Sequence, residues 1–432
     1  MPSPSPSPSP GRPSPAFWVP TLYFAEGLPF VLIATVSTLM YKSLGISDAQ
    51  IAFFTTIVMW PWTFKPLWGP FLEMFKTKKH FVVATQFFGG VLCGLVALSL
   101  PLEGFFQLSL VVFAIMAFNG ATHDIAADGV YINALTPEQQ GKFVGWQGAF
   151  YNIAKVLAQG GFVYLAGQLE TTVGVEQAWM IVMGVFGAIL VLISIYHLNV
   201  LPTGGAARAV HTVREAFDRF GEVVTTFFQK KRIVLAIVFI VLYRFAEGQA
   251  IKIVPLFLRA ARENGGLGLT TSEIGIVYGT FGAAAFILGS ILAGYFTGKR
   301  GLRKSLFILC CFFNLPFVVY TYLSMTTPDS LPVIGICIVF EMFGYGFGFV
   351  GLILYMMQQI APGKYQMAHY AFATGLMNLG MMIPSMLSGY VSDWLGYEQF
   401  FVWVMVATIP SFFVTWIAPF NTPRPEEAAG VP

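Results

Sequence analysis

The chain has 432 residues, of which 56% are apolar and only 10% charged, with a formal net charge of +3 and a mean hydropathy of +0.70. A soluble globular domain carries roughly 25% charged residues, so this composition excludes a soluble fold and makes lipid the solvent for most of the chain. No basic patch interleaved with aromatics points to nucleic acid.

The chain opens on a Pro/Ser tract, and residues 1–16 read as a disordered cytoplasmic tail with nothing apolar to bury. A membrane-crossing helix needs about 20 mainly apolar residues. Twelve segments qualify: 17–41, 49–72, 80–101, 105–132, 143–166 and 177–200, then 232–259, 273–296, 304–324, 331–358, 366–391 and 398–420. The expected fold is therefore an all-α membrane protein of 12 transmembrane helices. Its parts are a six-helix bundle at 17–200, a cytoplasmic linker at 201–231, a second bundle at 232–420 and a cytoplasmic tail at 421–432. Within the linker, Val213, Phe217, Phe220, Val224 and Phe227 share one helical face, which predicts an amphipathic helix lying on the membrane. Of the 24 Lys and Arg, seventeen fall on the side of the termini and three on the other, Lys42, Arg259 and Arg262, which predicts cytoplasmic termini.

The two bundles echo one another. Phe24-Ala25-Glu26-Gly27 in the first span recurs as Phe245-Ala246-Glu247-Gly248 in the seventh, and Ser47-Asp48-Ala49-Gln50-Ile51 before the second resembles Thr271-Ser272-Glu273-Ile274 before the eighth. Six plus six with a long linker is the architecture of the major facilitator class, whose solute site lies near mid-membrane between the halves. The loops at 69–76 and 294–301 carry a Gly followed by basic residues, with Glu73 in the first copy and Gly298 at its place in the second, and read as gate elements.

Nine charges interrupt the spans: Glu26, Lys65, Asp124, Asp128, Lys155, Arg244, Glu247, Lys252 and Glu341. Each costs about 2.5–3.5 kcal/mol on insertion scales, so such groups face the protein interior and mark pathways. Five acids against four bases leave one acid over if every base is paired, and an unpaired carboxylate in low dielectric favours its protonated form. Asp124 and Asp128, at i,i+4, point the same way. They, with Glu26 and Glu247, are the expected proton-coupling groups. The expected solute-binding groups are Lys155, Arg244, Asn152, Tyr151, Gln147, Trp146, Glu341 and Lys65. Lys155, on a polar stripe of the fifth span, is a partner for Asp124 or for an anionic solute, and Arg244 and Glu247 can pair at i,i+3. Lys65 and Lys252 lie nearer span ends, within reach of snorkelling. Trp18 and Trp68 read as membrane-belt anchors. His123 adjoins the acids as a hydrogen-bonded packing residue.

Cys93, Cys310, Cys311 and Cys337 lie in apolar runs without metal-ligand spacing, so neither a metal nor another cofactor is expected. No nucleophile–base motif or phosphate-binding loop suggests an enzyme.

Four stretches resemble the AmpG-type permeases of the major facilitator superfamily: residues Tyr23 to Pro29, Phe64-Lys65-Pro66-Leu67-Trp68-Gly69-Pro70, Asp124-Ile125-Ala126-Ala127-Asp128 and Leu135 to Gly141. Leu242-Tyr243-Arg244 and Phe340-Glu341 continue the likeness. The resemblance implies proton-driven import of a small solute across the bacterial inner membrane by a monomer. It also implies that the family's paired aspartates fall on Asp124 and Asp128. The namesake carries N-acetylglucosaminyl-anhydro-muramyl peptides. The branch also includes siderophore importers and is related to acetyl-CoA carriers, so a siderophore or nucleotide-like anion is the alternative cargo.

Overall fold

A computed structural model describes residues 13–68, 72, 77–204, 213–363 and 365–420. The expected tails and the gate loop at 69–76, with Glu73, lie almost wholly outside these residues. Among them nine helices are long and apolar enough to cross a membrane: Pro15–Ser43, Lys78–Ser99, Phe105–Ala134, Val175–Val200, Ile233–Arg259, Thr271–Arg300, Leu302–Thr326, Leu331–Ile360 and Ala368–Trp416.

The other three of the twelve passes fall short of a long apolar helix for identifiable reasons. The second is broken into Asp48–Ile57, Trp60–Phe64 and a short turn at Lys65–Leu67, where Pro61 and Pro66 remove backbone donors. The fifth runs from Pro137 to Val173 through a π-helical segment at Leu157–Phe162 and is more polar than its neighbours. The eleventh and twelfth share one helical stretch that breaks at Gly396, whose φ of 72° lies in the left-handed region open to glycine. The chain reverses there. Met382 meets Thr63 and Tyr397 meets Asp48, so the eleventh span climbs antiparallel to the second. Phe401 meets Thr321 and Ser411 meets Cys310, so the twelfth descends along the ninth. With twelve passes, Pro15 and Trp416 lie on one side, here called the proximal side. The linker carries the expected helix, at Val213–Phe228, with the Phe227 ring packed on Phe372 of the eleventh span.

The internal repeat has a structural meaning. Ser47 caps the second span by accepting from the Gln50 N–H, and Thr270 caps the eighth in a capping box with Glu273. In the Phe-Ala-Glu-Gly repeat the glycine is the contact point. A Cβ on Gly27 would lie 3.0 Å from the Tyr151 carbonyl oxygen of span 5, and one on Gly248 would lie 2.6 Å from the Met381 carbonyl oxygen of span 11. Spans 5 and 11 occupy equivalent places in the two halves, so each copy presses its helix against the same neighbour and carries its glutamate with it.

On the distal side the halves are joined. Asp48 accepts from Tyr397 of the other half and pairs with Lys42 of its own. Glu170 accepts from Thr271 at 2.7 Å and lies 3.7 Å from Arg259, while Gln168 donates to Ser272 at 3.1 Å. The molecule is therefore closed toward its distal face. Asp48→Asn combined with Tyr397→Phe should weaken that closure. Maleimide labelling of a cysteine placed at Ser43, itself 3.4 Å from Thr271, should speed up several-fold. Unchanged labelling would show that these contacts do not hold the face shut.

Candidate functional site

A cavity of about 310 Å³ lies between the halves at mid-depth, at the small end of small-molecule sites. Spans 1, 2 and 5 line one wall and spans 7, 8, 10 and 11 the other. The π-helical segments at Leu157–Phe162 and Gly275–Gly282 flank it, and such irregular turns recur where helices serve function.

Three cationic side chains reach the cavity, Lys155, Arg244 and Lys252, and no carboxylate does among the described residues. Lys155 has no ion-pair partner among them. Its Nζ lies 5.3 Å from the centroid of the Phe286 ring, across the cavity in the other half. Lys252 is buried and donates to the Ala34 carbonyl oxygen of span 1 at 2.6 Å, again across the halves. The expectation that it snorkels to a span end is thus corrected: its ammonium is a bond between the bundles. Arg244 is held by Glu247, with Nε and Nη2 each 2.5 Å from a carboxylate oxygen, and Tyr345 donates to the same Glu247 at 2.6 Å. This is the bidentate arrangement that keeps a buried pair together.

The acids of the first half lie behind the cavity wall. Asp124 accepts from Trp62 Nε1 at 2.9 Å and faces Lys65 at 3.5 Å. Asp128 accepts from the Tyr23 hydroxyl at 3.1 Å. Glu26, one turn along span 1 from Tyr23, has a buried Oε2 without a hydrogen-bond donor among the described residues. Trp62 belongs to both regions. Its ring forms part of the cavity wall, edge-on to Phe30, while its N–H reaches Asp124 behind it.

The sequence-predicted residues are thus divided. Asn152, Lys155 and Arg244 line the cavity. Lys65, not Lys155, is the base beside Asp124. Gln147 lies against the Tyr23 hydroxyl, and Tyr151 packs on Gly27, both on the acid side. Trp146 is 42% exposed and sits among Phe143 and Phe150, away from the cavity wall. Glu341 is buried and accepts from Tyr320 at 2.8 Å, outside the wall. Trp18, expected at the membrane belt, is 1% exposed and packs in a cluster with Tyr23, Val82 and Val130. The surplus of one acid is also revised: Lys155 and Lys252 are without carboxylate partners among the described residues, and Glu26, Asp128 and Glu341 form no ion pair there, although Lys65 lies near the first two. Tyr345 and Phe286 are cavity residues that sequence reasoning did not single out for the site.

A family model described as Major Facilitator Superfamily matches residues 21–368 and 265–431. The chain is 21% identical to "Putative transporter AmpG 4" of Rickettsia conorii, over 91% of this chain and 94% of that protein. It is 22% identical to the anhydromuropeptide permease of Escherichia coli K12, over 91% of this chain and 77% of that protein. Among solved structures it is similar to the nucleoside transporter NupG, with a TM-score of 0.70, 13% identity and coverage of 92% and 98%.

Removing one partner of the buried Arg244–Glu247 pair leaves an uncompensated charge, which costs about 3–5 kcal/mol. Arg244→Leu alone should lower the thermal unfolding midpoint of the purified protein strongly, and Arg244→Leu with Glu247→Leu should recover most of the loss. A double variant as unstable as the single one would contradict the pairing.

Proposed function

Because this chain belongs to the Major Facilitator Superfamily and so moves a small solute across a membrane, we propose that it is a proton-coupled importer of an anionic amino-sugar or muropeptide-like solute. The observation that carries the reading is the separation of charge. Among the described residues the cavity wall offers Lys155, Arg244 and Lys252 and no carboxylate, while Glu26, Asp124 and Asp128 sit behind it. Cations in a low-dielectric cavity attract a carboxylate-bearing solute. Asn152 adds a polar group, and Phe30, Trp62, Phe286 and Phe349 add apolar and aromatic surface suited to sugar faces and alkyl groups. The name of the Escherichia coli relative favours an anhydromuropeptide as that solute. The alternative cargo, a siderophore or nucleotide-like anion, fits the same cationic wall.

Coupling runs through Trp62 in this reading. A carboxylate next to Lys65 exchanges a proton as the site opens to one side or the other, and the Trp62 N–H carries that change to the ring on which the solute lies. With the distal face closed, solute and proton leave toward the proximal side, which the basic-residue count assigns to the cytoplasm of a bacterial inner membrane. One chain holds the whole site, as in a monomer.

Two experiments follow. In a thermal-shift panel of sugars, anhydro-muropeptides, siderophores and nucleotides, the anhydro-muropeptide should raise the midpoint most. Lys155→Gln should weaken that binding by about tenfold, the loss of one hydrogen bond to a charged group. A larger shift with a siderophore or nucleotide would transfer the assignment to that class. In proteoliposomes, Trp62→Phe should retain solute exchange yet lose accumulation driven by an imposed pH gradient. Full gradient-driven accumulation in that variant would rule out coupling through Trp62.

A further inference from the structure

A chain of polar side chains runs through the interior of the first half, away from the cavity. Thr21 of span 1 meets His197 Nε2 of span 6 at 2.9 Å, and His197 Nδ1 meets Gln86 Oε1 of span 3 at 2.8 Å. Gln86 Nε2 then meets His123 Nε2 of span 4 at 2.9 Å. Gln86, His123 and His197 are at most 3% exposed. Most buried polar atoms are hydrogen-bonded, and one that is not calls for an explanation. This chain ends on an atom without a partner among the described residues, His123 Nδ1. The same histidine adjoins the acids: Glu26, His123 and Asp124 each bring one side-chain oxygen or nitrogen within 4.8 Å of the others, and Glu26 Oε2 has no hydrogen-bond partner among the described residues either.

The chain has a direction. An amide nitrogen only donates and an amide oxygen only accepts. His123 Nε2 must therefore accept from Gln86, which leaves the proton of the neutral ring on Nδ1. His197 must donate from Nδ1, and its Nε2 accepts the Thr21 hydroxyl. The reverse amide orientation would leave a lone pair on Nδ1, whereas this one gives an Nδ1–H that a charged carboxylate can accept. The charged groups facing the chain are Glu26 on span 1, Lys65 after span 2, Asp124 and Asp128 on span 4, and Lys79 beside His197 at the far end.

We propose that His123 is a positioning residue of the acid cluster: Thr21, His197 and Gln86 hold the tautomer in which its Nδ1–H is given to Glu26 or Asp124 when that carboxylate is charged. The inference rests on the reading that the cluster carries the coupling proton, and it adds a residue and a supporting chain to that site. The same three side chains are spaced for a bound cation, but the Lys65 ammonium 3.5 Å from Asp124 opposes one.

Nitrogen-15 NMR of the full-length, histidine-labelled protein tests the tautomer. Of the five histidines, the one whose signals vanish in His123→Asn should be protonated at Nδ1, and Gln86→Leu should turn it into a mixture. An Nε2–H tautomer in the native protein would overturn the proposal. Infrared titration of the carboxyl band reads the consequence. Asp124→Asn should remove a titrating band. His123→Leu should carry that band's transition upward by about one pH unit, the size set by a hydrogen bond to a charged group. His123→Asn, whose amide donates from the Nδ1 position, should bring it back. If His123→Leu does not fold, Gln86→Leu should still move the transition the same way. Loss of no band in Asp124→Asn means that the coupling reading itself fails. Loss of the band there, with no movement in the His123 and Gln86 variants, overturns the histidine assignment alone. A band that shifts on adding Na⁺ or Zn²⁺ at constant pH overturns it in favour of a cation site.

Discussion

The rest of the structure depends on how the repeated glutamate of each half is compensated. A charge in low dielectric must find a partner, take up a proton or not be there. At Glu247 the residue three positions earlier is Arg244, and the two close a bidentate pair. At Glu26 the same place holds Tyr23, which gives its hydroxyl to Asp128 instead. One copy of the motif is therefore paired on its own helix, and the other has no base three residues before it. The glycine that follows each glutamate presses both helices against equivalent neighbours, so the backbone repeats while the electrostatics differ.

That asymmetry divides labour between the halves. The paired copy keeps a guanidinium at the cavity wall without an excess of buried charge. The other copy lies with Asp124 and Asp128 behind Trp62, where Lys65 is 3.5 Å from Asp124. The cavity and the acid cluster both touch one indole, Trp62, without sharing a ligand. Lys155 and Lys252 reach across the halves to Phe286 and Ala34. A solute anion that drew either ammonium toward itself would loosen a contact between the bundles, which links binding to their relative movement.

The fold was legible because membrane crossing imposes a length and a composition on every pass. The repeat was legible because caps and glycines recur at fixed offsets. Of the charge pairs, Arg244–Glu247 could be read because an i,i+3 spacing is local. Lys65–Asp124 could not, since which of several bases meets an acid on another helix is decided by packing alone. Trp18 and Lys252 were misjudged for the same reason. Position near a span end suggests lipid or water, yet a neighbouring helix covers both. Tyr151 shared a stripe with Lys155, but a helix presents its faces to different neighbours along its length, and Tyr151 meets Gly27 of span 1 one turn before Lys155 reaches the cavity.

The central claim is that a cationic cavity and a separate acid cluster join anion entry to proton entry. Its most direct measurement is proton movement during solute entry, followed with a pH-sensitive dye in proteoliposomes given an anhydro-muropeptide. The account predicts that the outer medium becomes alkaline as solute enters through the native protein. It predicts no such change in Asp124→Asn, although solute exchange persists. Accumulation by the native protein without proton movement, or equal proton movement in the variant, would contradict it.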